Sequence, residues 1–267
     1  MPWEKEIAVA REAARAAGEI LNQLFGRVNR VTKKGRIDLV TEADVQAEKA
    51  ILDIITAHFP RDSILTEEAG EQRHLPERVW HIDPLDGTTN FAHAFPVFAV
   101  SIALEVQKDV VLGVVFNPHA DELFEAVTGR GASLNKNRIR VSQVPELGEA
   151  LLATGFPYDI HQRPRRVLAP FKELLLLAQG VRRPGSAAID LCYVAAGRFD
   201  GFWEPGLKPW DTAGGSIIVS EAGGRLSTYG GEKFTPYQKT VVASNARIHD
   251  ALRSAVNAAL DGKSPLA

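Results

Sequence analysis

The chain has 267 residues, 45% of them hydrophobic and 24% charged, enough for one large domain or two closely packed halves with a substantial core. A formal net charge of −2 offers no global basic field for nucleic acid or an anionic membrane, and the single cysteine, Cys192, excludes an intrachain disulfide framework. No apolar stretch approaches a membrane span, and the opening residues carry charges at helical spacing rather than a secretory signal, so a cytoplasmic protein is expected.

Ile7, Ala10, Ala14, Ala17, Leu21 and Leu24 recur at helical spacing and predict an amphipathic first helix that stops at Gly26. The polar, basic segment 27–38, "RVNRVTKKGRID", reads as a loop. Thr41-Glu42-Ala43-Asp44 has the form of a capping box and opens a second helix through Ile51 and Ile55 towards Phe59-Pro60. Val79-Trp80-His81-Ile82 then predicts a strand entering the interior, with His81 packed as a strand residue. The period-2 runs 97–106 and 110–117, joined at Gln107-Lys108-Asp109, predict a β-hairpin, and 122–128 a further strand, with more short strands before Ser142. The second half alternates. A strand at 150–154, a loop "GFPYDIHQRP", a helix through Leu168, Phe171, Leu174 and Leu175, and a short strand near Val181 come first. A helix from Ser186 to Ala196, a strand at 200–204, a helix after Trp210-Asp211 that ends at Gly223-Gly224, and a last helix from Ser244-Asn245 follow. Cys192 falls in an apolar run and reads as a small core residue. Helices on both sides of sheets, with a soft boundary near 142–150, are the expected architecture.

Five acidic residues stand apart from the solvated background. Glu67 and Glu68 follow an apolar run, Asp83 and Asp86 close the buried strand in "HIDPLDGTTNF", and Asp211 lies between a Trp and a helix start. Carboxylates at a buried strand end stay ionised together only with positive charge between them. Oxygen ligands of this kind suit hard divalent cations such as Mg²⁺, and no His/Cys cluster suits zinc. Gly87-Thr88-Thr89 removes one side chain and adds two hydroxyls where a helical turn can begin, which is a phosphate cradle. Pro96 limits that turn. Each feature alone has an ordinary reading: Asp86 as a turn residue, Asp211 or Ser186 as a helix N-cap, Glu67-Glu68 as a solvated pair. Together they point to metal-dependent phosphoryl chemistry, with a two-carboxylate glycosidase still open.

The sequence resembles the inositol monophosphatase family of Mg²⁺-dependent, Li⁺-sensitive phosphatases. "DPLDGTTNF" (Asp83 to Phe91) and "WDTAGGSIIVSEAGG" (Trp210 to Gly224) look like its two signatures, supported by segments 38–44, 66–70, 113–118 and 185–204 in the family's order. The resemblance implies a mixed α+β fold, an α/β/α/β/α layered sandwich. It divides into an N-terminal half, 1–145, with the metal and phosphate motif, and a C-terminal half, 146–267, with the substrate pocket and last metal ligand, packed as one catalytic unit. It implies that Glu67, Asp83 and the Leu85 carbonyl hold one Mg²⁺, that Asp83, Asp86 and Asp211 hold a second, and that a weaker third lies near Glu67. Thr88, helped by Asp44 and acting with Glu67, would orient and activate the attacking water. The Gly87 and Thr88 amides would bind phosphate. Glu204, Gly185, Ser186, Ala187 and Asp211 would meet the alcohol, and Lys33 belongs to a mobile loop near the site. A homodimer, a small phosphate-ester substrate, inhibition by Li⁺, and no requirement for membrane or nucleic acid are implied as well.

The substrate alcohol is less well specified. Myo-inositol 1-phosphate leads, and Arg163, Arg165, Arg166, Arg182 and Arg183 offer charge for a second phosphate, as a dual-specificity fructose-1,6-bisphosphatase would need. Histidinol phosphate is another alternative. His93, beside the motif, could touch the leaving group or serve structure alone. A regulatory protein- or RNA-binding role on the same fold remains the alternative of another class.

Overall fold

The computed structural model describes residues 2–27, 31–33, 39–72 and 74–263, with the backbone alone at 31–33, 39–41 and 72. Helix α1 (Glu4–Leu24) buries Ala10, Ala14, Ala17 and Leu21, the expected apolar stripe. It packs against α2 (Glu42–His58), whose Ala47, Ile51 and Ile55 are buried on the same layer. The segment expected as a loop between them is a correction. Strand β1 (Val31–Lys33) pairs antiparallel with β2 (Leu39–Thr41), because Val31-Thr32 and Leu39-Val40-Thr41 are β-branched or apolar enough to pair despite the basic residues around them. The side chains of Lys33 and Thr41 lie outside the described residues.

An eight-stranded sheet follows, built from β3 (Asp62–Thr66), β4 (Gly70–Gln72), β5 (Leu75–Asp86), β6 (Ala99–Val106), β7 (Asp109–Asn117), β8 (Glu122–Val127), β9 (Gly131–Leu134) and β10 (Asn137–Arg138). Its order is β10-β9-β8-β7-β6-β5-β3-β4, antiparallel except for the parallel pair β3–β5. The β6–β7 hairpin turns on Gln107 and Lys108, both at positive φ (52° and 71°), the left-handed pair of a type I′ turn. Strand β7 shows how one sequence serves two cores. Leu112, Val114 and Phe116 point to α1 and α2, while Val115 points to the opposite layer. Full burial of such side chains contributes about 1.5–3 kcal/mol each.

Beyond the sheet lie α5 (Ala187–Ala195) and α6 (Pro209–Glu221), packed on each other and, for α6, directly on β5 to β8. A Cβ on Gly113 would come within 2.7 Å of the Gly214 carbonyl and of Ile217, so glycines in strand and helix set the layer spacing. A five-stranded sheet comes next, of order β12-β11-β13-β15-β14, from β11 (Leu151–Thr154), β12 (Gly180–Arg182), β13 (Gly201–Pro205), β14 (Arg225–Ser227) and β15 (Thr240–Ser244). Helices α4 (Arg165–Leu177) and α7 (His249–Asp261) cover its far side. Phe202 faces α5 and α6 while Trp203 faces α4 and α7, and Val241 and Val242 repeat that alternation. The result is the expected five-layer α/β/α/β/α arrangement of mixed α and β structure. Cys192 is fully buried in the middle layer, and burial pushes its thiol pKa up.

Other expectations need correcting. Strands β14 and β15 were not anticipated, and Ser244-Asn245 ends β15 rather than opening a helix. The Asn245 side chain accepts from the Arg247 and Ile248 amides, so the chain turns there before α7 starts. Asp211 is the third residue of α6, and Lys208 is its N-cap. Among the described residues no helix is long and apolar enough to cross a membrane.

Candidate active site

The acidic end of β5 is shaped by an irregularity. Asp83 pairs with Ser101 and Asp86 with Ala99, so Pro84 and Leu85 together oppose Val100 alone. Pro84, which has no N–H to give the ladder, occupies this bulge. The Leu85 N–H donates to Asp83 Oδ1 at 3.0 Å, fixing that carboxylate. Gly87 follows at φ 98°, and a Cβ there would meet the Val97 carbonyl at 2.9 Å, so only glycine turns the chain from β5 into α3 (Thr88–Ala92).

Thr88 Oγ1 lies 3.0 Å from Asp44 Oδ1 on α2 and 3.0 Å from the Leu85 carbonyl. The hydroxyl has one proton for these two acceptors, and its lone pairs remain available. Thr88 and Asp44 are both buried. Glu67 is tied to β5 through its N–H, which donates to the Ile82 carbonyl at 3.3 Å. The turn after it is held by the Ala69 N–H, which points at Glu48 Oε1 (3.1 Å) and Thr66 Oγ1 (3.0 Å). Asp86 Oδ2 reaches across to the second half, accepting from Ser186 Oγ at 2.6 Å and the Ala188 N–H at 2.7 Å. Ser186 is also the N-cap of α5, accepting from Ile189 N at 3.4 Å. Asp211 Oδ2 accepts from the Lys208 N–H at 2.7 Å.

These side chains share one cavity of about 420 Å³ between the end of β5 and the first turns of α5 and α6. Glu67, Asp83, Leu85, Asp86, Gly87 and Thr88 line one end, and Gly185, Ser186, Ala187, Glu204 and Asp211 line the rest. Asp44 stands behind Thr88 and does not line it. Lys33's side chain is outside the described residues. Of the five arginines considered for a second phosphate, Arg183 alone lines the cavity, and Arg163, Arg165 and Arg182 are exposed elsewhere. His93 is exposed at the end of α3 and does not line it either. His81 is fully buried, its Nε2 3.3 Å from Glu105 Oε2, well inside β5.

The electrostatics follow from burying like charges together. Burial raises the Asp83 pKa well above the ordinary carboxylate range, and Glu67, Asp86 and Asp211 push it further. Burial also raises Asp86, opposed by its bonds to Ser186 and Ala188. Asp211 is pushed up to about 8 by burial and by Asp86, and Glu204 to about 8 by burial, with Arg183 acting against it. Four carboxylates without a cation among them resist ionisation, and a divalent ion removes that cost. The oxygen-only donor set fits Mg²⁺. Asp83 and Asp211 each engage one oxygen in the bonds above, which leaves donor capacity facing the cavity. Among the described residues no three such groups are already drawn to coordinating distance. Asp86 is turned towards Ser186 and Asp211 towards Lys208.

At the other end, Glu204 on β13 is buried and packs on Gly155, where any Cβ would run into its carboxylate. Arg183 stacks over the Phe156 ring, 5.4 Å from its centroid. Sequence reasoning missed Asp190. It lines the cavity, buried, from within α5. The available signal was a lone charge in the apolar run "AAIDLCYVAA".

This arrangement, a buried acidic cluster beside a Gly-Thr-Thr turn in a five-layer α/β sandwich, suits the binding of a phosphate ester. The sequence model described as the inositol monophosphatase family matches residues 3–261. The chain is 48% identical over 254 residues to inositol-1-monophosphatase of Synechocystis sp., covering 94% of this chain and 88% of that one. It is 42% identical to Nus factor SuhB of Escherichia coli (strain K12), covering 91% and 92% of the two chains. The solved inositol monophosphatase of Anabaena (Nostoc) sp. PCC 7120 superimposes with a TM-score of 0.88 at 42% identity, covering 96% of this chain and 97% of that one. The chain belongs to the inositol monophosphatase family, and it is an enzyme of the phosphatase class.

Proposed function

We propose that the protein is a Mg²⁺-dependent phosphomonoesterase that hydrolyses myo-inositol 1-phosphate and related polyol monophosphates to the free alcohol and phosphate. The observation that carries this reading is the shared cavity, with Asp83, Asp86 and Asp211 at one end, the Thr88–Asp44 pair behind them and Glu204 at the other end. Glu67, Asp83 and the Leu85 carbonyl would hold one ion, Asp83, Asp86 and Asp211 a second, with a weaker third near Glu67. When bound, Mg²⁺ supplies charge neutralisation and polarises the phosphoryl oxygens.

The chain's own groups do the positioning. Thr88 donates its hydrogen bond to Asp44, which leaves its lone pairs to accept a hydrogen bond from the attacking water, and Glu67 accepts from that water on the other side. The amides of Gly87 and Thr88 bind the phosphate. Glu204, with Gly185, Ser186, Ala187 and Asp211, holds the alcohol hydroxyls, so the scissile bond stands in line with the water. A loop contribution from Lys33 belongs to the same reading. The halves 1–145 and 146–267 act as one unit, because Asp86 of the first is held by Ser186 and Ala188 of the second. Cytoplasmic location, a homodimer and inhibition by Li⁺ belong to the same reading.

The test is phosphate release from D-myo-inositol 1-phosphate, fructose 1,6-bisphosphate, histidinol phosphate and 2′-AMP, each with Mg²⁺, with EDTA and with Mg²⁺ plus Li⁺. Mg²⁺-dependent release led by inositol 1-phosphate supports the reading. Equal release from fructose 1,6-bisphosphate would replace it with the dual-specificity alternative, which Arg183 alone among the five arginines is placed to serve. The 42% identity to a Nus factor favours a second, regulatory role with a protein or RNA partner. Partner binding retained by an inactive Asp211→Asn variant would separate the two roles.

A further inference from the structure

The alcohol end of the cavity holds a carboxylate that the reading above leaves without a task. Asp190 is 1% exposed, and neither Oδ1 nor Oδ2 has a hydrogen-bond partner among the described residues. It nonetheless lines the cavity, one turn into α5 from Ser186. The charges that act on it are two like ones, Glu204 and Asp86, and one opposite, Arg183 at the cavity mouth. A buried carboxylate with no donor to either oxygen is costly and is rarely retained for packing alone. Its neighbours Ala188, Ile189 and Leu191 supply the packing of α5.

We propose that Asp190 is a second acceptor for the substrate alcohol, taking a hydroxyl hydrogen beside the one taken by Glu204. This rests on the polyol-phosphate reading and deepens it. Two carboxylates and one guanidinium at the alcohol end form a recognition surface for adjacent hydroxyls: each carboxylate accepts, and Arg183 donates to a hydroxyl oxygen. A neighbouring pair of hydroxyls satisfies both carboxylates, whereas a lone hydroxyl leaves one unpaired, and an alkyl or aryl group leaves both. Unpaired buried polar groups are what make such sites discriminate strongly. Asp190 is therefore a specificity residue for the alcohol.

The experiment compares wild type, Asp190→Asn and Asp190→Ser on D-myo-inositol 1-phosphate and on p-nitrophenyl phosphate, an ester whose leaving group has no further hydroxyl. KM and kcat are resolved separately and Tm is recorded for each variant. The expected result is a rise of about ten- to a hundredfold in KM for inositol 1-phosphate with kcat nearly kept, and kcat/KM for p-nitrophenyl phosphate within about twofold of wild type. Equal losses on both esters, or no change on either in a variant that folds, would overturn the assignment and leave Asp190 a structural residue. The wild-type data test the underlying reading separately. A wild type with no preference for the polyol ester removes both conclusions, whereas a clear preference unmoved by either substitution removes only this one.

Discussion

Thr88 Oγ1 sits 3.0 Å from Asp44 Oδ1, which joins the turn after the acidic strand β5 to the first turn of α2, forty-four residues earlier in the chain. Both groups are buried, so the hydroxyl is held in one orientation. Thr88→Ala should lower kcat by about 10²–10³-fold, and Thr88→Ser should restore most of it. Asp44→Asn keeps the shape but loses the charged acceptor, and should cost about tenfold with KM nearly unchanged. Steady-state phosphate release on the four proteins checks the order. A Thr88→Ser variant as poor as Thr88→Ala would show that the methyl group, rather than the hydroxyl, is what matters.

The acidic cluster predicts opposite effects on activity and stability. The Asp211 and Glu204 carboxyls are held at about 8 in the fold, against ordinary values of 3.8 and 4.5. A raised carboxyl pKa means that the folded state keeps the proton longer than the unfolded one. The contribution of these two groups to stability is therefore full below about pH 4 and is lost as pH rises towards 8. In EDTA, Asp211→Asn should abolish turnover yet raise Tm at pH 8 by about 2 °C or more, with the gain fading as pH falls to 5. Thermal melts of both proteins across that range measure it, and a variant less stable than wild type at pH 8 would contradict it. Asp86→Asn should also lose turnover, and it should keep its fold.

His249 predicts the reverse sign. It is buried at the start of α7, with Nε2 2.9 Å from Ser227 Oγ and Nδ1 2.9 Å from Ser244 Oγ. Burial, first, and the positive Arg225 lower its pKa from 6.5 to about 4. A depressed histidine pKa favours the neutral form in the fold. Its contribution is whole above 6.5 and is lost as pH falls towards 4. The stability advantage of wild type over His249→Gln should shrink between about pH 7 and pH 5, by about 1 kcal/mol after allowance for screening. Urea unfolding at several pH values reads it directly, and a constant difference would contradict it.

The spacing between layers gives a structural prediction. A Cβ at Gly113 would lie 2.7 Å from the Gly214 carbonyl and 2.7 Å from Ile217 Cγ2, and backbone cannot yield as a side-chain tip can. Gly113→Ala should destabilise by about 1–3 kcal/mol and move α6, which carries Asp211. Activity should fall along with Tm. An unchanged Tm would mean that the layers are less tightly set than their glycines imply.

How much of this was written legibly in the chain differs by element. Strong periodicity announced α1, α2, the β6–β7 hairpin and α4, and the clustering of Asp83, Asp86 and Gly87-Thr88 announced the acidic end of the cavity. Strands β1 and β2 were hidden because basic residues mask a pairing that local context decides. Strand β15 was hidden because "TVVAS" sits between glycine-rich, polar segments and looks like part of a loop until β13 and β14 flank it. Asp211 read as an N-cap because an Asp before small residues usually is one, yet Pro209 starts the helix earlier. Asp190 was invisible because helical spacing places a residue on a face without saying what lies opposite. That depends on Glu204 and Arg183 arriving from other elements.

The measurement that tests the central claim most directly is phosphate release from D-myo-inositol 1-phosphate by EDTA-stripped protein as Mg²⁺ is titrated back, run beside Asp211→Asn. The account predicts no release without Mg²⁺, recovery on titration in wild type and none in the variant. Full release in EDTA, or an Asp211→Asn variant that recovers like wild type, would contradict it.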